Sequence, residues 1–91
     1  MPRPAFVYML RCADDTIYTG WTWDVERRVQ AHQKGSGARY TRTRRPVALI
    51  YAERLSSRRA AMRREIAIKQ MPRQRKLKLA STGAPVCTSK R

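Results

Sequence analysis

Two strand-like segments joined by a very short turn open the chain, and they restrict its fold more than any other feature. Residues Ala5–Leu10 form a continuous apolar run with aromatic and β-branched members, which is typical of a buried strand. Residues Thr16–Trp21 are also rich in β-branched and aromatic residues, and Ala13-Asp14-Asp15 is a turn signal between the two. Because the connection is so short, the two strands are expected to pair as an antiparallel hairpin.

The remaining elements are predicted from their end signals. Asp24 is a plausible N-cap for a helix to about Gln33, and Lys34-Gly35-Ser36-Gly37 ends that helix with a cation and glycines. A basic loop over Ala38–Arg45 follows. After it come a strand over Val47–Ala52, a helix capped by Ser56-Ser57 over Arg58–Gln70, and a short helix from Pro72 to about Leu79.

The predicted order is therefore β-β-α-β-α-α. It indicates an α+β domain, with a small, mostly antiparallel three-stranded sheet and helices packed against it. We expect one domain over residues 1–80 and a basic, mobile tail over 81–91. Neither the P-loop nor the Rossmann glycine motif is present in the sequence.

The charge of the chain predicts the class of its partner. Its 91 residues include 21 Lys and Arg but only six Asp and Glu, for a formal net charge of +15 and a pI of about 11.4. Such a balance favours a polyanion as the partner, and nucleic acid above all.

No apolar run approaches the roughly 20 residues that span a bilayer, and no signal peptide is recognisable, so we expect no membrane partner. The isolated Cys12 and Cys87 form neither a zinc motif nor a disulfide framework, which favours a reduced, cytoplasmic setting.

Two tyrosines are the first candidates for chemistry. Tyr8 and Tyr18 lie on the two hairpin strands, and equal parity across a three- or five-residue loop places them on one sheet face, opposite or diagonal to each other. A phenol has an unperturbed pKa of about 10, so it acts as a base at neutral pH only if nearby cations lower that value. Alternatively, the two rings simply pack across the hairpin.

An arginine and the only histidine share one face of the first helix. Arg28 and His32 are four residues apart, on the side that also carries Val25 and Val29. The arginine fork suits phosphate oxygens. His32 can move a proton or hydrogen-bond a phosphate; the alternative is a helix C-terminal cation that interacts with the macrodipole.

Glu65 is the main local anomaly of the second long helix. On a helical projection it lies on the apolar arc, between Ala61 and Met62 and near Ile68. An inward carboxylate must be paired, protonated or bound to metal. An ion pair with Arg28 or with Lys69 is one interpretation, and a single Mg²⁺ or Mn²⁺ ligand completed by water and substrate phosphate is the other.

Three further aromatic residues are open to interpretation. Tyr40, in the basic loop, can stack on a base, contact a phosphate or fold onto the edge of the core. Trp21 shares strand parity with Ile17 and Thr19, so we expect it in the core. Trp23 can be a surface residue and hence a stacking platform.

Taken together, these short motifs resemble the GIY-YIG nuclease superfamily, and most closely its small single-domain bacterial members related to structure-specific nucleases. The resemblance runs from Phe6 to Leu79. It rests on Val7-Tyr8, Tyr18-Thr19-Gly20, the Arg28-x-x-x-His32 helix, Ala38-Arg39-Tyr40-Thr41 and the Arg64–Lys69 segment with Glu65. The chain departs from the family pattern by carrying Phe6 where the first motif has glycine. It also contains no asparagine, which many members have after the metal-binding helix.

The resemblance implies a role for each site residue. Tyr8 would be a general base or activate the water, and Tyr18 would position the nucleophile or the scissile phosphate. Arg28 would stabilise charge on the phosphate, with His32 and Tyr40 assisting by hydrogen bonds. Glu65 would hold one Mg²⁺ or Mn²⁺ ion, weakly in the absence of substrate.

The resemblance also implies the substrate, which is DNA cut at its phosphodiester bonds, with branched and flapped forms as candidates. RNA remains open. The chain would recognise nucleic-acid shape, take its specificity from a partner protein, or cut poorly. The residues expected to contact the nucleic acid are the basic ones of the loop and helices, namely Arg27, Arg39, Arg42, Arg44, Arg45 and Lys69. Two other functions compete with the nuclease: a nuclease fold that binds nucleic acid without cutting it, and a basic protein that binds ribosomal RNA or another polyanion.

Overall fold

The structure, a computed structural model, describes residues 3–82 and confirms the predicted α+β class. These residues form three strands and four helices. They are β1 (Ala5–Arg11), β2 (Ile17–Thr22), α1 (Val25–Lys34), α2 (Arg39–Arg42), β3 (Ala48–Leu55), α3 (Arg58–Lys69) and α4 (Arg73–Thr82).

The helix ends follow from local chemistry. The Asp24 side chain accepts a hydrogen bond from the backbone N–H of Arg27 at 3.1 Å, so it is the N-cap of α1 as predicted. Ser57 caps α3 in the same way, accepting from the N–H of Ala60 at 3.1 Å. Gly35 ends α1 with φ of 89°, in the left-handed region that favours glycine.

The sheet has the order β2-β1-β3, and both pairings are antiparallel. In the register of the hairpin, Tyr8 faces Gly20 and Leu10 faces Tyr18. Tyr8 and Tyr18 therefore share one face as diagonal neighbours, which confirms the parity prediction. A register shift on the β3 side falls between Met9 and Leu10.

Alternation along β1 gives the sheet two buried faces. Val7 and Met9 pack with Ala61 and Ile68 of α3 in one cluster. Tyr8 and Leu10 belong to a second cluster, on the α1 side, which includes Val25. A continuous apolar strand such as β1 is buried on both faces, so helices cover the sheet on each side.

The structure differs from the sequence predictions at several places. Residues 39–42 form the short helix α2 instead of a loop, because the N–H of Arg42 bonds the carbonyl of Ala38 at 3.1 Å; one turn of helix is too short to show a hydrophobic period. β3 continues to Leu55, beyond Ala52, and α4 reaches Thr82, beyond Leu79. Met62 is 43% exposed, so it lies off the buried arc of α3.

Some predictions fall partly outside the described residues. The tail predicted from residue 81 lies outside them from residue 83 onward, and so does Cys87. Cys12 is buried and forms no disulfide, and burial raises the pKa of its thiol. Within residues 3–82, no helix has the length and apolar character needed to cross a bilayer.

Candidate active site

The phenol of Tyr8 lies over the glycine of the neighbouring strand. A Cβ atom added at Gly20 would lie 2.7 Å from the Tyr8 hydroxyl and 3.0 Å from its Cζ. Only a residue without a side chain therefore lets the ring extend across β2, which is one of the two edge strands of the sheet. Gly20 gives the phenol its position, and sequence reasoning had assigned it no role of its own.

Four rings, each from a different element, form one cluster around Tyr18. The centroid of Tyr18 lies 6.3 Å from that of Tyr8, 5.1 Å from that of His32 and 5.8 Å from that of Tyr40. Such distances are those of favourable tilted aromatic pairs. The structure thus brings together the two tyrosines of the hairpin, the histidine of α1 and the tyrosine of α2.

His32 is fully buried and both of its ring nitrogens have partners. Its Nε2 lies 2.8 Å from the Tyr8 hydroxyl, and its Nδ1 lies 2.7 Å from the hydroxyl of Thr41. The Thr41 hydroxyl donates its one hydrogen to the carbonyl of Ala38 at 3.2 Å, so it accepts from Nδ1–H. The neutral ring then has an unprotonated Nε2, which accepts the hydrogen of the Tyr8 hydroxyl.

Burial keeps both members of this pair uncharged. It raises the pKa of Tyr8 to about 12, although Arg28 beside the hydroxyl acts in the opposite direction. Burial, and secondly the positive charge of Arg28, lower the pKa of His32 to about 4. His32 is therefore a neutral acceptor near pH 7. The alternatives of a helix C-terminal cation and of a direct phosphate ligand are wrong for this histidine, because its ring is uncharged and has no free polar atom.

Arg28 stands at the open side of the cluster. It is exposed, one turn before the buried His32 on α1, and it influences the pKa of both Tyr8 and His32. A guanidinium in this place can bind an anion that reaches the Tyr8 hydroxyl from solvent.

Glu65 reaches the same region from α3. Its side chain is 19% exposed, and its negative charge contributes, as a minor cause, to the raised pKa of Tyr8. The Glu65 carboxylate forms an ion pair with the ammonium group of Lys69 at 3.3 Å. This pair, between residues four apart on α3, is one of the two ion pairs that the sequence left open. Ala61 and Ile68 on either side of it are fully buried, so the predicted apolar arc is present apart from Met62.

The donor set around Glu65 limits what metal it can hold. Among residues 3–82 no three His, Cys, Asp or Glu side chains are grouped as a metal site. A single carboxylate oxygen fits a hydrated, hard divalent ion that takes its other ligands from water and substrate phosphate. It does not fit a tightly held structural ion.

Two arginines of the predicted DNA-binding loop have structural partners. Arg44 donates to Asp14 at 2.9 Å and to the carbonyl of Tyr40 at 2.7 Å, and its guanidinium lies 4.0 Å from the Tyr40 ring centroid. Arg45 donates to the carbonyls of Arg42 at 2.8 Å and Gln33 at 3.3 Å. Their donors hold α1, α2 and the hairpin turn together.

The other predicted nucleic-acid contacts lie at the surface. Arg27, Arg39 and Arg42 are exposed, and Lys69 is half exposed while it pairs with Glu65. Tyr40 is 38% exposed, stacked between Tyr18 and Arg44.

Sequence reasoning missed three residues that build the site. Thr41 is buried against His32, and Gly20 makes room for Tyr8. Gly37 packs against the histidine, since a Cβ there would lie 2.5 Å from Nδ1. The signal was available for Gly20 and Thr41, because each belongs to a motif already singled out around a tyrosine.

Comparison with known proteins places this arrangement in a family. The model of the "GIY-YIG catalytic domain" family matches residues 4–78. A UPF0213 protein of Staphylococcus haemolyticus is 53% identical over 74 residues, which is 81% of this chain and 90% of that protein. A UPF0213 protein of Natronomonas pharaonis is 53% identical over 81 residues, which is 89% of this chain and 95% of that protein.

Two solved structures share the fold. The solution NMR structure of a UPF0213 protein of Bacillus halodurans matches with a TM-score of 0.58 and 39% identity, covering 93% of this chain and 90% of that one. The solution NMR structure of a protein of E. faecalis matches with a TM-score of 0.57 and 34% identity, covering 86% of this chain and 84% of that one.

Proposed function

Because the chain belongs to the GIY-YIG family of nuclease domains, we propose that it is a divalent-metal-dependent nuclease that hydrolyses phosphodiester bonds in DNA. The observation that carries the proposal is the 2.8 Å hydrogen bond between the Tyr8 hydroxyl and Nε2 of His32. A purely structural tyrosine pair does not require a neutral histidine held ready to accept the phenolic hydrogen.

Activation of the water starts at Tyr8. With a pKa of about 12 the phenol is not ionised at neutral pH, so it does not act as a preformed phenolate. Because Nε2 of His32 accepts the phenolic hydrogen, the lone pairs of the Tyr8 oxygen are left to accept a hydrogen bond from an incoming water and to orient that water for attack on the phosphate. Thr41 accepts from Nδ1–H and keeps the ring in the tautomer that this arrangement needs.

The other residues handle the phosphate. Arg28 stabilises the negative charge that grows on the phosphate oxygens during attack. Tyr18, which packs between His32 and Tyr40, positions the water or the phosphate at the Tyr8 hydroxyl. Tyr40 assists from the α2 side, where Arg44 fixes its ring.

Nucleases of this family generally use divalent metal ions. Here Glu65 is the residue that would hold one Mg²⁺ or Mn²⁺ ion, which supplies Lewis-acid stabilisation of the phosphate and leaving oxygen when bound. Lys69 must release Glu65 for this, so affinity for the free metal is low and substrate phosphate completes the site.

The charge of +15 supports DNA as the substrate, through backbone contacts from exposed arginines such as Arg27, Arg39 and Arg42. Such contacts recognise the phosphate backbone and carry no base sequence. Branched or flapped DNA, recognised by shape, or a partner protein would then provide selectivity.

A nuclease assay with matched variants tests the proposal. Branched, flapped, single-stranded and duplex DNA are incubated with Mg²⁺ or Mn²⁺ and with the wild type, Glu65→Gln or Arg28→Gln. We expect cutting by the wild type and a loss of about 10²-fold or more for each variant. Glu26→Gln and Arg59→Gln, the same changes at exposed positions, are the controls and should retain activity. Cutting that survives both site substitutions overturns the proposal.

A second function is favoured by the Glu65–Lys69 ion pair, which gives the carboxylate a partner other than metal. It is a nucleic-acid-binding module on a nuclease fold. It predicts no cutting in any assay and equal, metal-independent DNA binding by the wild type, Glu65→Gln and Lys69→Met.

A further inference from the structure

A basic cleft adjoins the candidate active site at the start of α1. It encloses about 300 Å³ and is lined by Arg3, Thr22, Trp23, Asp24, Arg27, Arg28 and Ala31. We propose that this cleft binds the phosphate and sugar of the nucleotide next to the scissile phosphate on the same strand. The inference rests on the proposed nuclease function and adds to it a second phosphate-binding subsite.

The charges in the cleft suit a phosphodiester. Three arginines line it against one carboxylate, that of Asp24, whose Oδ1 already accepts the N–H of Arg27 as the cap of α1. The guanidiniums therefore exceed the carboxylate by two charges. Arg27 and Arg28 are exposed, so their donors are accessible to an incoming anion.

The indole of Trp23 gives the third arginine a fixed place. The guanidinium carbon of Arg3 lies 4.9 Å from the centroid of the Trp23 ring, and Trp21 contacts that ring edge-on at 5.3 Å and 84°. A guanidinium that stacks on a ring face keeps its N–H donors in its own plane, where they can still bond phosphate oxygens. The Trp21–Trp23 pair thus holds Arg3 at the rim of the cleft with its donors available.

The position of Arg28 links the cleft to the reaction centre. Arg28 lines the cleft and also acts on the Tyr8 hydroxyl. A phosphate held by Arg3 and Arg27 would consequently be the next one along the same strand from the phosphate at the Tyr8 hydroxyl. The volume of about 300 Å³ falls at the lower end of small-molecule sites, which suits one nucleotide unit and not a whole duplex.

Binding of a minimal ligand tests the subsite without any cutting. Thymidine 5′-monophosphate, thymidine and inorganic phosphate are titrated into the Glu65→Gln protein in low salt, with tryptophan fluorescence and NMR of the arginine Nε–H groups as readouts. We expect the monophosphate to bind more tightly than thymidine, and Arg3→Gln and Arg27→Gln each to weaken it about 10-fold. Arg59→Gln on α3 should leave it unchanged. Equal weakening by Arg59→Gln, or no difference between monophosphate and thymidine, overturns the subsite.

Cleavage of modified DNA supplies the second test. A single neutral methylphosphonate is moved along a substrate strand around the cut. At the phosphate adjacent to the cut it should lower kcat/KM about 10-fold for the wild type but less than 2-fold for Arg27→Gln, because the partner charge is already absent. The same loss in both proteins overturns the subsite while the nuclease function stands. Monophosphate binding that depends on Arg3 and Arg27, with no cutting of DNA by the wild type, instead overturns the nuclease function and leaves the cleft as a nucleotide-binding site.

Discussion

The Tyr8 hydroxyl donates its hydrogen to Nε2 of His32 at 2.8 Å, between two side chains that are 1% and 0% exposed. Because the histidine holds the phenolic hydrogen, the lone pairs of the Tyr8 oxygen are left to accept a hydrogen bond from water and to orient that water. The protonation state of His32 therefore controls the site, and several consequences can be measured.

His32 should titrate far below a free histidine. Burial, and then the charge of Arg28, lower its pKa to about 4, and the chain contains only this one histidine, so its ring C–H resonance needs no assignment. An NMR titration should show a midpoint near 4 in the folded protein. A midpoint near the unperturbed value of about 6.5 would contradict the buried, neutral ring.

The same shift makes stability depend on pH. The native pKa of His32 is depressed, so the unfolded chain binds more protons between pH 4 and about 6.5. Its contribution to the free energy of unfolding is fully present above about pH 6.5 and is lost as pH falls through 4, by about 3 kcal/mol. Urea unfolding from pH 7 to 5 measures the slope, which His32→Gln should flatten. A slope that persists in the variant assigns it to other groups.

Thr41→Val removes the acceptor of the His32 Nδ1–H while keeping the shape of the side chain. A buried donor left without a partner costs about 1–3 kcal/mol of stability. Nuclease activity should fall by more than the unfolded fraction explains, since the tautomer that accepts from Tyr8 is no longer favoured. Thr41→Ser, which keeps the hydroxyl, should restore most of the activity. Equal activities for Thr41→Val and Thr41→Ser would contradict the role of the Thr41 hydroxyl in fixing the tautomer of His32.

Gly20→Ala should push the phenol of Tyr8 out of place. The added Cβ would lie 2.7 Å from the hydroxyl oxygen, which is closer than Cβ atoms approach other atoms in proteins, and 3.0 Å from Cζ, which is a tight contact. We expect destabilisation and a fall in activity of about 10²-fold. Tyr8→Phe removes the nearest atom, so Gly20→Ala should cost less stability in that background. The test is a double-mutant cycle by chemical denaturation, and simple additivity would argue against the clash.

Arg44 should act through Tyr40. Arg44→Lys keeps the charge but loses the planar fork that reaches Asp14 and the Tyr40 carbonyl and stacks on the Tyr40 ring. The partly exposed contacts are worth about 1 kcal/mol in stability. We expect Arg44→Lys to lower activity about 10-fold. In a protein that already carries Tyr40→Phe or Tyr40→Ala, the same change should lower activity little further. Full additivity with Tyr40→Ala would show that Arg44 acts elsewhere, on DNA.

Lys69→Met should free the carboxylate of Glu65. Without its ion pair at 3.3 Å, Glu65 is a better ligand, so Mn²⁺ affinity measured by water-proton relaxation should rise several-fold. Glu65→Gln in the same background should remove the gain. An unchanged affinity for Mn²⁺ in Lys69→Met would place the metal elsewhere.

The sequence by itself determined the order of all elements except the one-turn helix α2, the caps at Asp24 and Ser57, and the shared face of Tyr8 and Tyr18. These follow from local chemistry and from the two-residue period of a strand, which neighbours along the chain express directly. The sequence also singled out Glu65, since a carboxylate on an apolar arc is visible in a helical projection.

Only the tertiary structure decided what those residues touch. His32 became a buried neutral acceptor because Tyr8, from β1, and Thr41, from α2, meet it at opposite nitrogens. Arg44 links α2 to the hairpin turn, because its guanidinium bonds both Asp14 and the carbonyl of Tyr40. Whether such a side chain is buried, and which groups it contacts, depends on residues that are far apart in the chain. A periodic pattern predicts the face of a helix or strand on which a side chain lies. It does not predict which other side chains will contact it there.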